Sequence, residues 1–107
     1  MSTTTLIQIE LDRMTSVQVI DLPERFDAFA EVDFETKKQR AGTTVLLDGS
    51  NVRFADLSAL QSLVDARLSL LDVGSDLAIG APSNELLATL ELTGFGDLVP
   101  YISGEQR

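Results

Sequence analysis

The sequence predicts one α/β domain, a mixed β-sheet with an N-terminal hairpin and flanking helices in the order β-β-α-β-α-β-α-β. Three observations point there. Apolar and polar residues alternate over Leu6–Leu11 and Ser16–Ile20, the period of half-buried strands. Two short apolar runs, Thr43–Leu47 and Leu77–Gly80, have the length of interior strands. Between and after them, apolar residues recur at helical spacing from Leu57 to Leu71 and from Leu86 to Leu90.

The first two strands are joined by Asp12–Thr15, and Asp21-Leu22-Pro23 ends the pair, because Pro23 has no N–H to give a ladder. A helix is predicted next, capped by Asp27, with Phe26, Phe29, Ala30 and Val32 as its apolar face. Lys37, Lys38 and Arg40 stand in its last turn, where cations complement the helix dipole or offer a docking point, and Gly42 is its stop signal. Thr43–Leu47 follows as a strand buried on both faces, and the turn formers Asp48-Gly49-Ser50-Asn51 make a loop after it.

Asp56 is placed to cap the second helix, whose apolar stripe is read as Leu57, Leu60, Val64, Leu68 and Leu71 with Leu63 beside them, and Gly74 closes it. Pro82-Ser83 opens a third helix that Gly94 ends. Val99–Ile102 is a last short strand, which Pro100 assigns to an edge. No linker, repeat or low-complexity tract interrupts the 107 residues, so residues 1–107 read as a single domain.

Composition excludes several function classes. The chain has no Cys and no His, which removes disulfides, thiolate metal sites, Ser-His-Asp triads and Cys-His pairs. Ser58 therefore has no base to activate it as a nucleophile. Asp and Glu outnumber Lys and Arg by 17 to 8, a net charge of −9, which repels nucleic-acid phosphates and anionic membranes. The N-terminus lacks the pattern of a signal peptide, and no apolar run approaches the roughly 20 residues needed to span a bilayer. A cytoplasmic, non-enzymatic protein with no membrane insertion and no nucleic-acid partner is expected. The acidic residues show no metal-ligand cadence, and there is no P-loop, dinucleotide turn or nucleophile elbow, so neither a metal nor a cofactor is implied.

What remains is Ser58. With Asp56 as cap, it falls at about the second helical position, exposed, beside unpaired N–H groups and the positive end of the dipole. That position suits an ordinary first-turn serine, and it also suits a phosphorylated one. Asp27 and Asp56 read as helix caps and as acidic neighbours of that hydroxyl.

Three segments carry a family resemblance. Val45 to Leu60, with Asp48, Phe54, Asp56 and Ser58, resembles the central motif of STAS domains, the anti-sigma factor antagonists. There an apolar strand ends in Asp, and a polar loop leads to Phe-x-Asp-Ser-Ser/Thr-Gly-Leu at a helix start. Arg25-Phe26-Asp27-Ala28-Phe29 is similar to the family's Arg-Leu-Asp-Ala turn, and Leu90-Glu91-Leu92-Thr93-Gly94-Phe95 to its Leu-Glu-Leu-Thr-Gly-Leu ending. Leu57 stands where the family has Ser, and Ala59 where it has Gly. The resemblance implies a switch protein that binds an anti-sigma factor, itself a serine kinase, and is phosphorylated at Ser58 and reset by a serine phosphatase. Asp27, Asp56, Leu57, Ser58 and Ala59 would form the partner-binding surface. The alternative, which Leu57 and Ala59 favour, is an unphosphorylated STAS-like subunit that stabilises a transporter ATPase or a signalling assembly.

Overall fold

A computed structural model describes residues 16–102. The first strand of the expected hairpin, Leu6–Leu11, lies outside the described residues. Among the described residues the main sheet holds four strands in the order β1 (Ser16–Asp21), β3 (Thr43–Asp48), β5 (Asp76–Gly80) and β6 (Tyr101–Ile102), each parallel to its neighbour. Two further strands, β2 (Arg25–Phe26) and β4 (Phe54–Ala55), form a separate parallel ladder. Helix α1 (Leu57–Asp72) connects β3 to β5, and α2 (Asn84–Thr93) connects β5 to β6. The α/β class and the sheet with its two crossover helices follow the expectation, and β6 is at an edge as Pro100 required.

The strand order sets where the core lies. Each connection, β1 to β3, β3 to β5 and β5 to β6, steps in the same direction across the sheet. With right-handed crossovers, all three then land on the same face. Val45 and Leu47 from β3, and Leu77 and Ile79 from β5, point to that face and are fully buried against Leu60, Leu63 and Leu70 of α1 and Leu86 and Leu90 of α2. β3 is therefore not buried on both faces. Its burial alternates, with Thr44, Leu46 and Asp48 half-buried on a face that no helix covers among the described residues. Val17, Val19 and Ile102 are exposed, and the strand register puts them on that face.

The helix expected from Asp27 to Gly42 does not form; a 3-10 turn over Thr36–Lys38 is all the helix found there. Asp27 spends its side chain on an N–H two residues ahead, that of Phe29 at 3.0 Å, and Asp33 does the same for Glu35 at 2.8 Å. Such local turns compete with helix. Glu35 then takes a left-handed conformation at φ 55°, which no helix continues through. The decisive contact is longer in range: the rings of Phe26 and Phe34 meet edge to face with centroids 6.5 Å apart. In a helix, eight residues would separate them by about 12 Å along the axis. Phe29, assigned to the apolar face of that helix, is 89% exposed.

α1 forms where expected but is rotated from the expected face. Its buried residues are Ala59, Leu60, Leu63, Ala66 and Leu70, while Leu57, Leu68 and Leu71 are exposed. The two alanines explain the choice, since small side chains let the helix approach the sheet.

The turn between β3 and β4 joins three elements through Gly49. Its N–H donates to the Gly80 carbonyl at 3.0 Å, and its own carbonyl accepts from Ser83 N–H at 3.0 Å. A Cβ at this position would lie 2.7 Å from a Leu86 methyl and 3.1 Å from one of Ile79. Gly49→Ala is accordingly expected to overpack the junction and to destabilise the fold by about 1–3 kcal/mol in urea unfolding, with an unchanged m-value.

Candidate functional site

The site is built around two carboxylates, Asp27 and Asp56. β2 and β4 bring them together. Arg53 and Phe54 N–H both donate to the Glu24 carbonyl, at 2.8 and 3.1 Å, and Asp56 N–H donates to the Phe26 carbonyl at 3.3 Å. Beyond β4, Asp56 caps α1: its Oδ1 accepts Ala59 N–H at 2.9 Å, as its position before the apolar run predicted. Its Oδ2 accepts Ala28 N–H at 3.4 Å. One side chain thus fastens the helix start to the turn after β2.

Asp27 is 8% exposed. Its Oδ2 pairs with Arg25 Nε at 2.6 Å, and its Oδ1 accepts Phe29 N–H. Burial pushes its pKa up. The Phe29 N–H, the hydrogen bond and charge of Arg25, and the Ala30 N–H outweigh burial and hold the carboxyl below its ordinary value of 3.8. The Arg25 guanidinium also lies over the Phe54 ring, 4.8 Å from its centroid. Asp48, at the end of β3, is lowered as well, because its Oδ1 accepts both the hydroxyl and the N–H of Ser50, at 2.7 and 3.0 Å.

Leu57 and Ser58 are the first two residues of α1 and both are exposed, Leu57 by 60%. The cap hydrogen bond is made by Asp56, which leaves the Ser58 hydroxyl at the surface beside the helix N-terminus. Ala59 is 3% exposed, so its methyl belongs to the core and it can offer a partner little beyond its backbone. The five predicted residues are therefore brought to one place in different roles: Leu57 and Ser58 face outward, Asp56 and Asp27 hold the frame, and Ala59 packs inward.

Three members of this surface were not among the predicted site residues. Arg25, Phe29 and Phe54 ring the same two carboxylates, and all three are exposed. All three sit inside the quoted segments, which was the available signal. Phe29 was read as part of a helical apolar face instead, because its periodicity fitted a helix. Among the described residues no group of three or more acids converges as a metal ion would need.

The family model described as "Mlab, STAS domain" matches residues 9–100. The chain belongs to the STAS domain family. No curated protein and no solved structure matches it. The STAS family is typically non-enzymatic, and no helix among the described residues is long and apolar enough to cross a membrane.

The two carboxylates give two expected outcomes. Asp56→Ala should cost about 1 kcal/mol of stability, the usual cost of a lost cap. In this STAS domain it should also speed hydrogen exchange at Ala28 as well as Ala59, since both N–H groups lose their acceptor. For Asp27, the unfolded chain takes up a proton at the ordinary pKa and the folded chain only below it. Its contribution is thus fully present above the ordinary pKa and is lost as pH falls through the lowered value. Asp27→Asn should flatten the acid limb of a stability-versus-pH curve below about pH 4 and leave its shape near neutrality unchanged.

Proposed function

We propose that this STAS domain is an anti-sigma factor antagonist, a binding module controlled by phosphorylation of Ser58. Its partner is an anti-sigma factor that is also a serine kinase, and a serine phosphatase reverses the modification. The observation that carries this reading is the exposed Ser58 hydroxyl in the first turn of α1, beside a cap that Asp56 already supplies. A phosphoryl group there would be met by the free N–H groups and dipole of the helix start. It would also place a dianion on the surface that carries Leu57, Phe54 and Arg25. The absence of His and Cys from the sequence supports a binding role over a catalytic one.

The unphosphorylated form would bind the anti-sigma factor and free the sigma factor, and the phosphorylated form would be released. The second reading is a constitutive subunit of a transporter ATPase or signalling assembly, and the exposed Leu57 favours it. A bulky apolar side chain beside the hydroxyl suits a permanent contact better than a site a kinase must reach.

The test is incubation of the protein with its cognate switch kinase and ATP, followed by intact mass and binding measurements. The wild type should gain one phosphoryl group and Ser58→Ala none. Ser58→Asp should weaken kinase binding at least tenfold, about 1.4 kcal/mol or more. No mass gain, together with unchanged binding for both variants, rejects the switch. Co-purification with transporter or signalling components would then support the second reading.

A further inference from the structure

Helix α1 has two apolar faces, and the core uses one. The second is a line of Leu57, Val64, Leu68 and Leu71, spaced by seven, four and three residues, in which Val64 is half-buried against the edge of the core and the three leucines are exposed. At about 100° per residue these four fall within about 60° of one another, roughly a third of a turn from the centre of the buried face. Leu57, Leu68 and Leu71 are 60%, 59% and 46% exposed. Leu98, also exposed, is drawn alongside, because Arg67 Nη1 donates to its carbonyl at 3.0 Å. Single exposed leucines are ordinary. A line of them at heptad spacing along a helix of 16 residues is the pattern by which one helix packs on another.

The charges around the line select the occupant. Its outer flank carries the exposed acids Asp65 and Asp72. The cation on its inner flank, Arg67, is committed to Asp76 through Nε at 2.8 Å and Nη2 at 3.3 Å. A second copy of the chain would bring its own Asp65 and Asp72 to the same seam, like charge against like, on a protein of net charge −9. We infer that this stripe is the docking surface for a basic amphipathic helix of a partner protein, with apolar residues at heptad spacing flanked by lysine or arginine. Ser58 lies about 100° from Leu57 around the helix, so the inference does not require the phospho-switch.

The test uses the full chain and two synthetic helical peptides. Both carry leucines at heptad spacing and one tryptophan; one is flanked by lysines and the other by glutamates. The protein has no Trp, so fluorescence reports the peptide alone. The lysine peptide should bind at least tenfold more tightly than the glutamate peptide, with amide shifts confined to Leu57–Leu71 and Leu98. The double variant Leu68→Gln, Leu71→Gln should lose at least tenfold in affinity while keeping its circular dichroism and melting temperature. Asp65→Lys with Asp72→Lys should reverse the preference between the peptides. Shifts that map to another surface, or an undiminished affinity in the double leucine variant, overturn the inference. So does a concentration-dependent dimer in sedimentation that the leucine variant dissolves, which would assign the stripe to a second copy.

Discussion

The Asp56 carboxylate sets the geometry on which the site depends. One oxygen holds the first turn of α1 through Ala59 N–H, and the other holds the turn after β2 through Ala28 N–H. The backbone of the same residue is tied to Phe26. A helix fixed at its start by three such bonds cannot rotate about its axis. Ala59, Leu60 and Leu63 are thereby committed to the core, and Leu57 and Ser58 to solvent. Asp27, held by Arg25 and Phe29, braces the other side of the same junction. Both acids are in use as acceptors before any partner arrives, which makes the surface around Ser58 a preorganised one.

The sheet explains why the residues of the candidate site gather at one end. Three crossovers on one face put α1, α2 and the 22–42 connection side by side over a single core. The loops leaving β3 and β5 then meet at the carboxyl ends of the strands, where Gly49 stitches them to the start of α2. Gly49 leaves no room for a side chain, and that close approach keeps the strand ends, and hence β4 and Asp56, in fixed relation to the core.

Much of this was legible because it is local. Asp56 was identifiable as a cap by its place before an apolar run, Pro82-Ser83 as a helix opening, and Gly74 and Gly94 as stops. Two features were not legible, for different reasons. The segment after β2 has the composition of a helix, but the Phe26–Phe34 contact, eight residues apart, is satisfied only by a folded-back loop, and no local pattern encodes it. In α1 the period was correct and the phase was not. Two apolar stripes overlap on that helix, and hydropathy favours the one with more leucine. The core chose the stripe containing Ala59 and Ala66, because close approach to the sheet matters there more than side-chain size. The antiparallel partner of the sheet, expected at Leu6–Leu11, lies outside the described residues.

The phase of α1 bears on function through its cost. Burying a leucine is worth about 1.5–3 kcal/mol, so a helix that leaves Leu57, Leu68 and Leu71 exposed forgoes stability comparable to a large part of a small domain's margin. Phosphorylation at Ser58 would not recover it. The dianion gains about 0.3–1 kcal/mol from the helix start. It meets Asp56 and Asp27 as like charges, a repulsion of similar size at the surface. Those two acids cannot swing away, because each is already bonded to backbone N–H groups. The two effects would offset within the domain, so a phosphorylated helix start would keep its conformation. What would change is the charge presented beside Leu57, and a partner whose basic helix lay along the leucine line would meet that change at one end of its footprint. On the proposed reading, affinity along the stripe and charge at its start would thus be separable levers on one helix, the first set by apolar area and the second by a single hydroxyl.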